Sequence, residues 1–351
     1  MKLSSPFFHD ALSTSQIMKL VCFGLIPGAI IQIYFFGFGV LINVFLCSFF
    51  CLSAEYFVLR LRKRPPRLTL TDNTALLTGL LLGLSLPPTL PFWMSMVGCW
   101  FAIIFAKQLY GGLGFNPFNP AMVGYVLLLI SFPYEMTVWL PSRELALQVP
   151  GFIDSLEIIL FSETSNHLTA NTFRQIADGF TMATPLDFSK TEMTQGFMTT
   201  EILSKPYFQE NLTGWQWVNA GFLVGGIYLL FAKVIRWHIP AAVLSGILIT
   251  SFLLSSFDSQ LYMPLWFHLS SGATMLGAFF IATDPVSAAT TPKGRLIYGF
   301  SIGFMIVIIR TFGGYPEAVG FSVLLLNMAT PMIDHYTKPI IYGHQQKSSD
   351  E

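Results

Sequence analysis

The feature that most limits what this chain can fold into is a shortage of charge spread over long apolar runs. Of its 351 residues, 53% are hydrophobic and only 11% charged, against about 25% charged in soluble domains. Eight runs, at 18–37, 40–59, 91–106, 120–132, 217–234, 239–257, 296–311 and 318–333, approach the roughly 20 apolar residues that cross a bilayer as a helix. Two more, at 73–86 and 274–282, are short and stop at Pro87-Pro88 and at Thr283-Asp284-Pro285. Lipid offers no hydrogen bonds to the backbone, so an all-α polytopic membrane protein of about ten transmembrane helices is predicted. The first 17 residues are polar and mixed, and the run that follows is long enough to stay in the bilayer, so no cleavable signal is expected.

Basic residues set the predicted orientation. With the N-terminus in the cytoplasm, 14 of the 19 Lys and Arg fall inside, among them Arg60, Arg62, Lys63, Arg64, Arg67, Lys233 and Arg236. The other five, Arg143, Arg174, Lys190, Lys205 and Arg310, fall outside, four of them in one long loop. Both termini are then cytoplasmic. The chain divides into a first membrane repeat at 1–134, an extracytoplasmic loop at 135–213, and a second repeat with a short tail at 214–351. The halves share an order of features. Gly79 and Pro87 of the first short segment lie 198 residues before Gly277 and Pro285 of the second, and Gly111-Gly112 is echoed by Gly313-Gly314. Five spans per half is an odd number, so the expected architecture is two inverted five-helix repeats, each with a short broken helix.

Composition excludes several classes of function. Net charge is zero, which argues against nucleic acid as a partner. Cys22, Cys47, Cys51 and Cys99 sit singly in apolar runs, and the six histidines are scattered, so neither a zinc nor an iron–sulfur site is expected. No catalytic constellation stands out. Non-helical backbone at membrane depth is tolerated only inside protein or beside a cavity, so the two proline-terminated segments predict a lined interior. Asp284, at the end of one of them, reads either as a cation-pathway residue or as a turn cap before Pro285. The glycine-rich run from Gly111 to Pro120 reads either as a tight re-entrant turn or as a close approach to a ligand. Glu55 is expected to pair with nearby arginines, and Arg310 to snorkel to the outer interface.

The only long polar interval contains Asp178-Gly179-Phe180-Thr181-Met182-Ala183-Thr184-Pro185-Leu186. A threonine hydroxyl in a small-residue turn, reachable from outside, can accept a covalent cofactor; it can also be an ordinary turn threonine before proline. The similar Ser271-Gly272-Ala273-Thr274 lacks the upstream Asp-Gly and opens a membrane segment, where its hydroxyl would be hard to reach. Inverted five-helix repeats with broken helices also suit a solute channel or carrier of the urea- or ammonium-transporter kind, which would bind no such cofactor.

The blocks Gly272–Ala288, Lys293-Gly294-Arg295-Leu296-Ile297-Tyr298-Gly299 and Arg310-Thr311-Phe312-Gly313-Gly314-Tyr315-Pro316-Glu317, with Leu86-Pro87-Pro88 and Gly114-Phe115-Asn116-Pro117, resemble the RnfD/NqrB family of ion-translocating electron transport complexes. The resemblance runs over essentially the whole chain. It implies a membrane subunit, not catalytic alone, of a Na⁺- or H⁺-motive complex linking ferredoxin and NAD(H) in the bacterial inner membrane, with the long loop periplasmic. It implies FMN joined to threonine by a phosphoester, in a pattern matched by Asp178, Gly179, Thr181, Ala183 and the acceptor Thr184. Met182 stands where the pattern has glycine, a bulkier group for the flavin transferase to admit. By analogy with the sodium-pumping relatives, a second, noncovalent flavin such as riboflavin is implied as well. The implied partners are the other membrane, iron–sulfur and FMN subunits of the Rnf complex. If acidic residues of the loop such as Asp178 and Asp187 lie near the flavin, they are expected to lower its potential.

Overall fold

The computed structural model describes residues 13–174 and 184–338. Among them the regular structure is helical, with an isolated bridge between Glu163 and Thr169 in the loop. Ten helices lie at the ten apolar segments. In the first half these are α1 (Thr14–Phe36), α2 (Gly39–Leu61), α3 (Thr74–Ser85), α4 (Phe92–Phe101, continuing as the π-helical Ala102–Gln108) and α5 (Pro120–Ser131). The loop contributes α6 (Phe152–Phe161) and α7 (Pro185–Thr194). The second half holds α8 (Pro206–Phe231), α9 (His238–Phe257), α10 (Thr274–Leu276, continuing as the π-helical Gly277–Ile281), α11 (Pro292–Phe312) and α12 (Val319–Tyr336). Helices α1, α2, α9 and α11 are long and apolar enough to cross a membrane, while α3, α4 and α5 are shorter apolar helices. Helix α8 begins at Pro206, well before its apolar run at 217, so its first turns belong to the polar loop.

Local chemistry sets the ends. Ser13 and Gln16 form a capping box on α1: the Gln16 amide donates to Ser13 Oγ at 3.3 Å and the Ser13 amide to Gln16 Oε1 at 2.8 Å. Helices α5 and α11 each start with a side-chain cap, Asn119 or Thr291, followed by proline in the first turn. Helix α3 stops at Ser85 because residues preceding Pro87-Pro88 are driven to extended backbone.

Packing brings the two halves together through α1 against α8 and α5 against α12. Lipid gives helices no hydrophobic reason to associate, so small residues must let backbones approach. Gly24 and Gly28 of α1 face Gly221 and Gly225 of α8, two GxxxG patterns in contact. A Cβ at Gly225 would run into the carbonyl oxygen of Gly24, and one at Gly221 would lie 2.9 Å from Gly28 Cα. Gly79 and Gly83 seat α3 on Ser48 and Val44 of α2, and Gly299 and Gly303 seat α11 on α9. One apolar core runs through both halves, and large side chains such as Phe23, Phe45, Phe252 and Phe257 face outward, as a bilayer-facing surface requires.

Two charged residues differ from expectation. Glu55 is completely buried, and its partner is Lys107, whose Nζ donates to Glu55 Oε1 at 2.6 Å and to Thr74 Oγ1 at 2.6 Å; Gln108 Nε2 adds a bond at 2.7 Å. The arginines go elsewhere: Arg60 Nε donates to Tyr56 Oη, and Arg62 Nη1 to the Gln108 carbonyl. Arg310 does not snorkel. It is 5% exposed and turns inward to Glu317, because the irregular backbone before α10 presents carbonyls for it to satisfy.

Candidate functional site

Thr184 is the N-cap of α7. Its extended backbone precedes Pro185, and its Oγ1 accepts from the Asp187 amide at 3.3 Å. Asp178, Gly179, Thr181, Met182 and Ala183 lie outside the described residues. Helix α7 is held in place on both sides. Leu186 and Phe188 belong to a small core with Phe208, Leu212, Met263 and Phe267. Lys190 Nζ donates to the carbonyls of Gly313 and Tyr315, in the turn between α11 and α12. Burial pushes the Asp187 carboxyl above its usual range and the Lys190 amine below its own, each shift opposed by the other's charge.

Thr184 and Leu186 form part of the wall of a cavity of about 60 Å³ between the two halves of the molecule. Most of the wall is aromatic and aliphatic: Tyr125 from α5, Trp139 from the loop, Trp215 and Phe222 from α8, with Leu84, Met122 and Leu276. Trp139 and Trp215 pack edge to face at 5.0 Å, and Phe36 backs both. The polar groups in the wall are few, among them Gln32, Ser85, Thr184 and Glu317.

Two of them are fixed by the broken helices. Gln32 is 2% exposed; its Nε2 donates to the Leu84 carbonyl at 3.0 Å, in the last turn of α3, and its Oε1 has no partner. Glu317 Oε2 accepts from the Ala273 amide at 3.0 Å, and its Oε1 from the Ala318 and Val319 amides and from Arg310 Nη2 at 3.2 Å. Arg310 also donates to the carbonyls of His268 and Ser271 and to Thr274 Oγ1. Gly272 takes φ +60° here, and a Cβ on it would collide with the Glu317 carboxylate, which accounts for glycine at this turn. The carboxylate in the cavity wall is therefore Glu317; Asp187 lies one turn along α7 and is not part of it.

The remaining candidates separate cleanly. Thr274 is fully buried, and its hydroxyl already bonds the carbonyls of His268 and Ser271, so it cannot be an accessible acceptor. Asp284 accepts from the Ser287 amide at 3.0 Å and hydroxyl at 2.7 Å, the geometry of a turn cap. Among the described residues no group of three His, Cys, Asp or Glu could hold a metal ion. Gly111, Gly112 and Gly114 all have positive φ, and Arg64 reaches the Gly111 carbonyl, so this run is a turn that only glycine tolerates. Gln32 and Glu317 carried a signal that could have been read, a lone polar residue in an apolar run and an acidic residue opening a membrane segment. Trp139 and Trp215 carried none, since aromatic residues are common throughout the chain.

The profile of the NQR2, RnfD, RnfE family matches residues 1–343. Over 345 residues the chain is 50% identical to the D subunit of the ion-translocating oxidoreductase complex of Escherichia coli (strain K12), covering 98% of both chains. It is 51% identical, with the same coverage, to the corresponding protein of Escherichia coli O127:H6 (strain E2348/69 / EPEC).

Proposed function

The chain belongs to the NQR2, RnfD, RnfE family, and from that premise we propose that it is the membrane subunit of an ion-motive electron transport complex, carrying FMN on Thr184 through a phosphoester. The observation that carries the reading is the position of that hydroxyl: it caps a ten-residue helix and lies in the wall of a largely aromatic cavity. The N-terminal amides and dipole of such a helix favour a phosphate. The aromatic side chains of Trp139, Trp215 and Phe222 in the wall suit a planar ring. A flavin supplies one- and two-electron redox chemistry between its partners' carriers. The protein's part is to hold the phosphate end at Thr184 and exclude water with the aromatic wall.

The ten helices cross the inner membrane as two inverted five-helix repeats, with both termini cytoplasmic and residues 135–213 periplasmic. The pairing of α1 with α8 and of α5 with α12 supports this arrangement, as does the basic-residue bias. Family membership supports the other Rnf subunits as partners, a linkage of ferredoxin to NAD(H), maturation by a flavin transferase, and a second noncovalent flavin such as riboflavin.

The test is co-expression with a flavin transferase, followed by intact-mass analysis and ultraviolet in-gel fluorescence after denaturation. Wild type is expected to carry the mass of one FMN less water and to fluoresce; Thr184→Val should lose essentially all of both. A matured wild-type chain of unmodified mass would overturn the assignment.

A further inference from the structure

Helix α6 belongs to the polar loop yet carries apolar side chains on both of its faces. On the inner face Ile158 packs with Leu140 and Phe173, and Ser155 and Ile159 are buried. The outer face holds Ile153, Leu156 and Leu160, at the i, i+3, i+7 spacing of one helical stripe. These three lie outside the apolar cores; Ile153 is 69% exposed, and Phe161 at the flank of the stripe is 75% exposed. The two carboxylates of the helix are already engaged: Asp154 accepts from the Gly151 amide, and Glu157 from the Ser165 amide and hydroxyl. Helix α7 of the same loop turns Thr191 and Thr194 outward instead. A helix that is apolar all round does not suit water.

Contacts fix the depth of α6. Phe152 meets Phe38 edge to face, with ring centroids 6.0 Å apart, and Val149 lies 3.7 Å from where a Cβ on Gly37 would stand. Phe38 is the N-cap of α2, whose 23 residues span about 34 Å, close to the roughly 30 Å of a hydrocarbon core. The start of α6 is therefore level with the edge of that core. Arg143 stands over the Tyr34 ring at 5.2 Å near the end of α1, a pairing suited to the headgroup layer. Phe38 and Phe152 are both exposed, as are Phe45 and Phe49 along α2, so the bilayer-facing surface of α2 runs on to α6.

We propose that α6 is an interfacial helix lying along the membrane surface, with Ile153, Leu156, Leu160 and Phe161 inserted among the acyl chains of the leaflet at the α1–α2 turn. In the topology proposed above this is the periplasmic leaflet. Ten residues span about 15 Å, too short to cross. The helix carries two acidic side chains and no basic one, so its attraction is to the acyl chains and not to anionic headgroups. It ties the loop that contains Thr184 to the bilayer whether or not that hydroxyl is modified.

The test uses the full chain in lipid nanodiscs, with Ile153→Cys, Phe161→Cys or Thr191→Cys labelled by a small environment-sensitive fluorophore. Labelled wild type supplies the blank for the native cysteines. Phosphatidylcholine brominated on its acyl chains and aqueous iodide serve as opposing quenchers. The probes at 153 and 161 are expected to be quenched by the bromines several-fold more strongly than the probe at 191, and by iodide several-fold less. If Ile153→Cys does not fold, Leu160→Cys reads the same stripe. Probes at 153, 160 and 161 that respond to iodide as the one at 191 does would overturn the proposal. The same labels are then read in the assembled complex, where acyl-chain quenching should persist. Its disappearance on assembly would assign the face to another subunit and overturn the proposal as well.

Discussion

Gly225→Leu is expected to yield almost no monodisperse protein. Overpacking normally costs about 1–3 kcal/mol because neighbouring side chains can shift. Here the obstacle is the Gly24 carbonyl, part of the α1 backbone, so relief requires α1 and α8 to separate. That seam joins the halves: Gln32 lies on α1, and Trp215 and Phe222 on α8. Opening it would therefore widen the cavity as well as weaken the fold. Fluorescence-detected size-exclusion chromatography and thermal unfolding in detergent measure the effect. Gly314→Ala, at a position with nothing within 4 Å of the new Cβ, is the control and should behave as wild type. Equal yields and unfolding temperatures for the two variants would show that the close approach does not hold the helices together.

Lys107→Met should be nearly as damaging, for an electrostatic reason. Lys107 and Glu55 are 2% and 0% exposed and meet at 2.6 Å. Removing one partner of a buried pair typically costs about 3–5 kcal/mol because the other is left unpaired in a medium that cannot solvate it. The double variant Glu55→Met/Lys107→Met removes both charges and should recover most of the loss, since apolar replacement of a whole buried pair is often neutral or stabilising. A double-mutant cycle on unfolding temperature reads this directly. A double variant no more stable than Lys107→Met would mean that the pair does not carry the effect and that packing of the lysine stem does.

The helices were legible in the sequence because their cause is one-dimensional. A run of apolar residues without charge has little alternative to a helix in lipid, and proline or a capping side chain marks its end. The ten segments and their order emerge from that alone. The same reading set aside Thr274, at the start of an apolar run, and the fold buries that hydroxyl. It misjudged Glu55 and Arg310. Both were assigned to the nearest polar surroundings along the chain, and both found partners in other segments, Lys107 on α4 and the carbonyls between α9 and α10.

What the sequence by itself determined, then, is the set of helices and their breaks. Tertiary structure alone decided that Thr184 borders a cavity, and which residues complete its wall. Gln32, Trp139, Trp215, Glu317 and Thr184 are far apart in the chain. They converge because glycine faces let α1 and α8 touch and because Lys190 and Phe188 seat α7 against the second half. Hydropathy is a property of neighbours along the chain, whereas a cavity wall depends on backbone approach between segments, which no local pattern encodes.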